Sequence, residues 1–186
     1  MNLPNLLSLI RILLIPLFVL VFYIPAPGMH LACAVIFGLA GITDWLDGYL
    51  ARKWNQATPF GAFIDPVADK LMVAVALVLL VDRYPHAWFV LPAAALVGRE
   101  IVVSALREWM AELGKRASVA VSYVGKVKTA MQMIALLVLL GTQESWEWLV
   151  TIGVVCLYVA AVLTLWSMWA YLKAAWPDLQ QGMDKR

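Results

Sequence analysis

Four aspartates lie within one short stretch of a chain that is otherwise strongly apolar. Asp44 and Asp47 are followed, after a polar stretch, by Asp65 and Asp69. Charged groups at membrane depth are costly and usually serve a function. Because clustered carboxylates repel one another, they need counter-charge to stay ionised at neutral pH. Hard oxygen ligands with no His or Cys nearby suit Mg2+ or Mn2+ rather than zinc. The spacing therefore predicts a divalent-metal site able to support phosphoryl transfer.

Helical geometry brings the members of each acidic pair together. At about 100° per residue, five residues of the first acidic stretch share one helical face: Asp44, Asp47, Gly48, Ala51 and Arg52. Asp65 and Asp69 are one turn apart. Two helices could thus present two carboxylates each to a common point. Two metal ions could share Asp44 and Asp65, with Asp47 completing one coordination shell and Asp69 completing the other.

The beginning of the second acidic helix admits two interpretations. Thr58-Pro59 and Asp65-Pro66 both resemble an N-cap followed by proline at the first helical position. We favour Thr58 as the cap, because this choice keeps Gly61, Asp65 and Asp69 on one face and leaves Pro66 as a kink. The alternative makes Asp65 only a capping residue. Gly61 lacks bulk on this face, so a backbone or a ligand can approach closely.

Composition indicates the environment in which these helices fold. The 186 residues are 63% hydrophobic, and the mean hydropathy is +0.83, which exceeds that of ordinary soluble domains. With about 20 residues needed per span, the chain has room for roughly six membrane helices and no separate soluble domain. We expect one all-α integral membrane domain over residues 1–186. The apolar runs are Ile12–Ile24, Leu31–Ile42, Leu71–Val81, Ala87–Gly98, Met131–Gly141 and Trp148–Leu172.

The distribution of Lys and Arg predicts the orientation in the membrane. Thirteen of the 14 basic residues fall at the termini and even-numbered connections, and only Arg83 falls opposite. This bias predicts that both termini lie in the cytoplasm. Five apolar runs are short and continue into polar segments at their cytoplasmic ends, which predicts a six-helix bundle with a polar cavity facing the cytoplasm. The sixth run is expected to be a lipid-facing or dimer-facing span, and the first to be a retained helix rather than a cleaved signal.

The acidic stretch matches a known pattern. Asp-x2-Asp-Gly-x2-Ala-Arg-x8-Gly-x3-Asp-x3-Asp, read from Asp44 to Asp69 without departure, resembles the signature of the CDP-alcohol phosphotransferase family. The resemblance implies a six-span enzyme, usually a homodimer, that transfers a phosphoryl-linked group from a CDP-activated donor to an alcohol and releases CMP. It also implies two ions, Mg2+ or Mn2+, per active site.

The same resemblance assigns roles to the signature residues. One ion would be held by Asp44, Asp47 and Asp65, and the second by Asp44, Asp65 and Asp69. Asp69 would also be the catalytic base on the acceptor hydroxyl. The family pattern further implies contacts with the cytidine nucleotide by five residues: Asn5, Ser8, Gly48, Arg52 and Gly61. Asn5 and Ser8 belong to Asn5-Leu-Leu-Ser8-Leu-Ile-Arg11, which resembles the family's Asn-x2-Ser/Thr-x2-Arg element.

A second stretch carries a narrower likeness. The segment from Gly98 through Gly125-Lys-Val-Lys-Thr resembles the acceptor side of members that join CDP-diacylglycerol to sn-glycerol 3-phosphate. Arg99 and Arg107 lie about 80° apart around one helix, and Lys126 and Lys128 open the next. These four could surround an acceptor phosphate. Alternatively, each could mark topology or extend to lipid headgroups.

Several alternatives stay open at this point. Arg11 could pair with a carboxylate in the cavity or extend to the cytoplasmic interface. Family relatives that make cardiolipin, phosphatidylserine or phosphatidylinositol phosphate share the acidic signature and differ in the acceptor pocket. Intramembrane acids could also line a cation transporter. The apolar outer halves of the helices argue against a transport path, which needs polar groups across the whole membrane depth.

Overall fold

The computed structural model describes residues 3–54, 58–112, 123–143 and 145–184. Within these ranges the chain forms six helices and no strand: α1 (Leu3–Phe22), α2 (Met29–Lys53), α3 (Pro59–Arg83), α4 (Ala87–Glu112), α5 (Tyr123–Gly141) and α6 (Glu147–Asp184). The description leaves out the helix side chains at positions 3, 4, 45, 50–52, 123, 124, 126, 177, 178 and 181–184. Five of the six predicted apolar runs lie wholly within one helix, and the first extends two residues beyond α1.

The beginning of α3 confirms Thr58 as the cap. The backbone N–H of Gly61 donates to Thr58 Oγ1 at 3.0 Å, and Pro59 occupies the first helical position. Pro66 lies inside the helix. Asp65 is therefore an interior residue of α3, on the same face as Asp69.

Side-chain hydrogen bonds connect the termini of four helices at one end of the bundle. The Tyr23 hydroxyl, just after α1, donates to Asp82 Oδ2 near the end of α3 at 3.1 Å. Arg83 Nη1 donates to the Leu139 carbonyl near the end of α5 at 3.1 Å, where a cation also complements the helix dipole. Arg83 Nη2 lies 2.5 Å from His30 Nδ1 at the start of α2. Arg83, the one basic residue that the charge pattern places on the other side of the membrane, therefore links helices at the end of the bundle opposite the four clustered aspartates.

The apolar core lies toward the end of the bundle that contains Arg83. Its largest fully buried side chains come from all six helices: Phe18, Phe37, Leu77, Leu80, Phe89, Leu96, Leu136, Leu139, Leu140 and Leu157. Buried polar and charged side chains of α1, α2 and α5 lie nearer the other end: Asn5, Ser8, Arg11, Asp47 and Lys128. The bundle is therefore apolar at one end and polar inside at the other.

The outer surface indicates a membrane protein. In the described part of the chain, four helical segments are long and apolar enough to cross a bilayer: Asn5–Phe22, Met29–Tyr49, Ala87–Glu112 and Glu147–Trp176. The apolar part of α5, Val127–Gly141, is shorter. Leu13, Trp166 and Trp169 are each more than two-thirds exposed, and an apolar surface of this extent is unusual for a soluble monomer. α1 packs mainly on α2 and α3, and α6 packs mainly on α5 and α4.

Candidate active site

α1 presents a row of buried polar residues to the acidic helices. Asn5, Ser8 and Arg11 recur every three residues, so they lie along one side of α1, and all three are buried. Asn5 Nδ2 donates to Thr58 Oγ1 at 2.9 Å. The Thr58 hydroxyl also lies 3.1 Å from Asn5 Oδ1. The polar element at the amino terminus therefore packs against the beginning of the acidic helix α3.

Arg11 is ion-paired with both aspartates of α2. Arg11 Nη1 donates to Asp44 Oδ1 at 2.6 Å, and Arg11 Nη2 donates to Asp47 Oδ2. The side chains of Arg11 and Asp47 are only 1% and 3% exposed, a burial that charged groups tolerate when they are paired. Of the two roles considered for Arg11, pairing inside the protein is confirmed and extension to the interface is wrong.

Ser8 joins the acidic residues of the two helices. Its hydroxyl donates to Asp65 Oδ1 and lies 3.5 Å from Asp47 Oδ2. Asp69 lines a small cavity together with Arg11, Gly41 and Met133. Carboxylates of α2 and α3 therefore meet beside α1.

The charge balance of this group fits a divalent cation. Arg11 brings one positive charge to four aspartates, Asp44, Asp47, Asp65 and Asp69. Carboxylate oxygens are the donors that Mg2+ and Mn2+ prefer, and additional cationic charge would relieve the repulsion among the acids. In the described part of the chain, no three His, Cys, Asp or Glu side chains converge closely enough to hold one metal ion. The acids are instead arranged around the Arg11 guanidinium and the Ser8 hydroxyl.

Gly61 is a glycine because α1 and α3 approach closely. A Cβ atom there would lie 2.6 Å from Asn5 Oδ1 and 3.2 Å from Thr58 Oγ1. Gly48 is a half-buried residue of α2, directly after Asp47. The predicted nucleotide residue Arg52 and the predicted acceptor residue Lys126 have side chains outside the described part of the structure. The nucleotide contacts of this group stay a prediction.

A large cavity joins Asp69 to the predicted acceptor residues. It has a volume of about 960 Å³ and is lined by α3, α4, α5 and α6. Among the described side chains, six charged ones line it: Asp69, Lys70, Arg99, Glu100, Arg107 and Lys128. The remaining walls are largely apolar and include Leu71, Leu77, Ile101 and Trp166. Three of the four residues expected to bind the acceptor phosphate thus share one cavity with the expected base.

Glu100 links two of these cations. Arg99 Nη1 donates to Glu100 Oε1 at 2.5 Å, and Lys128 Nζ donates to the same oxygen at 3.3 Å. The side chains of Arg99 and Lys128 are 10% and 8% exposed, and that of Glu100 is 31% exposed. Arg99 Nε is buried without a hydrogen-bond partner among the described residues. The carboxylate therefore compensates two nearly buried positive charges beside the cavity.

Sequence reasoning missed several polar residues of the cavity. Lys70, next to Asp69, donates to Ser104 Oγ on α4. Ser167 and Tyr171 of α6 contact Arg99 and Arg107. The expectation that α6 is an ordinary lipid-facing or dimer-facing span is therefore wrong for this stretch, because two of its polar side chains line the cavity. The available signal was their spacing of four residues in an otherwise apolar run.

Comparisons with known proteins identify the family. The model of the CDP-alcohol phosphatidyltransferase family matches residues 1–166. The chain belongs to this family. Members of the CDP-alcohol phosphatidyltransferase family are transferases that generally use a divalent metal. The chain is thus a phospholipid-biosynthesis transferase, as the acidic signature predicts.

Curated relatives in the family cover nearly the whole chain. A protein of Pectobacterium atrosepticum is 60% identical over 178 residues, and proteins of Escherichia coli K12 and Shigella flexneri are each 58% identical over 178 residues. Each match covers 96% of this chain and 97% of the relative. All three relatives are named CDP-diacylglycerol–glycerol-3-phosphate 3-phosphatidyltransferase.

Proposed function

We propose that this chain transfers the phosphatidyl group of CDP-diacylglycerol to sn-glycerol 3-phosphate in phosphatidylglycerol biosynthesis. The products are phosphatidylglycerophosphate and CMP. Relatives at 58–60% identity carry the name of this activity. The observation that carries the proposal is that Asp69 lines the large cavity together with Arg99, Arg107 and Lys128.

The basic residues of the cavity suit the acceptor. Glycerol 3-phosphate carries nearly two negative charges at neutral pH. Arg99, Arg107, Lys126 and Lys128 would hold its phosphate, Arg through forked contacts and Lys as a point charge. Glu100 offsets part of their positive charge. An uncharged acceptor alcohol has no phosphate for these cations to bind.

The size of the cavity suits a lipid donor beside a small acceptor. Its volume of about 960 Å³ lies near the top of the range of roughly 300–1,000 Å³ typical of small-molecule sites. Glycerol 3-phosphate would occupy only the charged part. The apolar walls formed by Val67, Leu71, Ile101 and Trp166 would accommodate lipid portions of CDP-diacylglycerol.

The acidic group provides the proposed metal site and the base. Asp44, Asp47 and Asp65 would hold one Mg2+ or Mn2+ ion, and Asp44, Asp65 and Asp69 a second. Three of these carboxylates contact Arg11 or Ser8 in the structure, so metal binding would require them to exchange those contacts for the ions. When bound, such ions neutralise the diphosphate and the charge that develops on it. Asp69 takes the proton from the primary hydroxyl of the acceptor as that oxygen attacks the lipid-side phosphorus. The new P–O bond replaces the bond to CMP, which leaves with its own phosphate.

The amino-terminal polar row serves the nucleotide in this proposal. Asn5, Ser8, Gly48, Arg52 and Gly61 would contact the cytidine nucleotide. Asn5 and Ser8 are buried at the junction of α1 with the acidic helices, where they contact Thr58 and Asp65. This position supports a role in orienting the donor.

The membrane arrangement follows from charge and packing. We infer that all six helices span the bacterial cytoplasmic (inner) membrane as one domain, residues 1–186, with both termini and the polar cavity facing the cytoplasm. The thirteen-to-one distribution of basic residues supports this orientation, and so does the position of Arg83 at the apolar end. Two copies would assemble as a homodimer.

An acceptor panel tests the proposed reaction. The purified protein in detergent should release CMP from CDP-diacylglycerol when Mg2+ or Mn2+ and glycerol 3-phosphate are present. Serine, inositol phosphate and phosphatidylglycerol should be poor acceptors. Turnover with one of these and none with glycerol 3-phosphate would refute the proposed acceptor. Ion flux in liposomes without CMP release would favour a cation transporter.

A matched pair of variants tests the base. Asp69→Asn should reduce CMP release by about 10²- to 10⁴-fold, the usual contribution of a positioned base, and the protein should stay folded. The control is Asp82→Asn, at the opposite end of the same helix, where the carboxylate accepts a hydrogen bond from the Tyr23 hydroxyl. Turnover by Asp69→Asn equal to that of Asp82→Asn would discard the assignment.

A further inference from the structure

Two polar residues of α6 face the arginines of α4. Ser167 and Tyr171 are one helical turn apart, so their side chains lie on one face. Arg99 Nη2 lies 3.5 Å from Ser167 Oγ, and Arg107 Nη2 donates to the Tyr171 hydroxyl at 3.2 Å. Both α6 residues line the large cavity. Each arginine expected at the acceptor phosphate thus has its own polar contact on α6.

Tyr171 constrains Arg107 in two ways. In addition to the hydrogen bond, the Arg107 guanidinium carbon lies 5.5 Å from the centroid of the Tyr171 ring, within the distance of a cation–π contact. Arg107 is exposed, and a long exposed arginine side chain otherwise samples many rotamers. The ring and the hydroxyl together restrict the guanidinium to one place at the edge of the cavity.

Ser167 is itself oriented. Its hydroxyl donates to the Thr164 carbonyl at 2.8 Å, so the proton points along α6 and the oxygen lone pairs remain for Arg99. The contact at 3.5 Å is long, and Arg99 is held more firmly by Glu100 at 2.5 Å. Of the two α6 residues, Tyr171 therefore has the larger share in arranging the basic pocket.

We propose that Tyr171, assisted by Ser167, is a positioning residue that fixes the arginines of α4 for the acceptor phosphate. The proposal rests on the proposed function and adds to it a determinant of acceptor affinity on α6. Tyr171 acts through Arg107. Its loss is expected to weaken binding of the phosphorylated acceptor while leaving binding of the nucleotide donor unchanged.

Tyr171→Leu, Tyr171→Phe and Ser167→Ala test the proposal. A matched control is Tyr158→Leu, because the Tyr158 hydroxyl also joins α6 to α4, donating to the Trp88 carbonyl at 2.7 Å, but lies outside the cavity lining. The KM values for glycerol 3-phosphate and CDP-diacylglycerol and the kcat are measured for each variant by CMP release. These separate constants distinguish positioning from a general loss of structure.

Tyr171→Leu should raise the KM for glycerol 3-phosphate by about 5- to 70-fold, the scale of one partly exposed cation–π contact plus one hydrogen bond. Tyr171→Phe, which keeps the ring, should show a smaller rise, and Ser167→Ala a rise of about twofold or less. The KM for CDP-diacylglycerol and the kcat should stay close to the wild-type values. Tyr158→Leu should leave both KM values unchanged.

Two results would overturn the proposal. One is a Tyr171→Leu enzyme with the acceptor KM of Tyr158→Leu, and the other is an equal rise in both KM values. If the leucine variant does not fold, Tyr171→Phe combined with Ser167→Ala provides the test, because both hydroxyl contacts with the arginines are then lost. A double variant with the wild-type acceptor KM would overturn the proposal. A wild-type enzyme that ignores glycerol 3-phosphate would overturn the proposed function itself.

Discussion

Replacement of Gly61 by alanine perturbs the junction between α1 and α3 directly. The new Cβ would lie 2.6 Å from Asn5 Oδ1, so the amide must retreat by about 0.8 Å to reach an ordinary contact of 3.4 Å. Asn5 is buried, and its movement breaks the contacts of 2.9 and 3.1 Å with Thr58. The substitution therefore displaces a residue of the proposed nucleotide site.

The expected cost can be bounded. Overpacking of a buried position costs about 1–3 kcal/mol, and the lost amide contacts cost about 1 kcal/mol each. Alanine is more favourable than glycine inside a helix, which offsets at most about 1 kcal/mol of this loss of stability. The net loss of about 2–5 kcal/mol should lower the unfolding midpoint by roughly 4–20 °C for a chain of this length. A displacement close to 1 Å should also lower kcat/KM for CDP-diacylglycerol by about 10- to 100-fold.

Two other glycines provide the controls. At Gly153 a Cβ would lie 2.6 Å from Leu139 Cγ, in the apolar core, so Gly153→Ala should lower stability and leave the kinetic constants unchanged. At Gly98 no atom lies within 4 Å of the added Cβ, so Gly98→Ala should keep or raise stability. Thermal unfolding in detergent and CMP release with varied CDP-diacylglycerol measure the two effects. A Gly61→Ala enzyme as stable and active as Gly98→Ala would refute the argument.

Three further perturbations concern the charged groups. Arg11→Met should lower the free energy of unfolding by about 3 kcal/mol or more, because Asp47 would stay buried without its partner; adding Asp47→Leu should restore part of that loss in thermal unfolding, and no recovery would contradict this reason. Lys128→Met should raise the KM for glycerol 3-phosphate by about 10-fold or more at an unchanged KM for CDP-diacylglycerol; a wild-type acceptor KM would remove Lys128 from the acceptor site. Treatment with EDTA should abolish CMP release, and Mg2+ or Mn2+ should restore it; full activity of the chelated enzyme would refute the metal assignment.

The sequence predicted the features that depend on local signals. Thr58 followed by Pro59 fixed the beginning of α3, because a hydroxyl cap and an N1 proline act within one turn. Helix existence followed from apolar runs in the same way. The predicted number of six membrane spans is a different case. Among the described residues, four helices are long and apolar enough to cross a bilayer, and α3 is not one of them. The acids and Lys70, which mark the site, are the residues that make α3 more polar.

Features that depend on helix packing were beyond the sequence. Arg11 can pair with Asp44 and Asp47 only if α2 lies beside α1; otherwise its side chain would extend to the interface. No local sequence pattern predicts which helices are adjacent. Ser8 bonds to acids of two helices, and neither contact is encoded in its neighbours. Tyr171 lies in the sixth run, which was expected to face lipid or a dimer partner because the average over an apolar run hides two polar residues. Its contact with Arg107 depends on α4 and α6 being adjacent.

The Arg11 ion pairs bear on how the nascent chain enters the lipid. A lone guanidinium in the first helix would oppose partitioning into hydrocarbon, as would two lone carboxylates in the second. Arg11 forms ion pairs with Asp44 and Asp47. A helical hairpin of α1 and α2, which ends at Lys53, therefore contains both the positive and the negative charges of these pairs. These helices are therefore expected to leave the insertion machinery together.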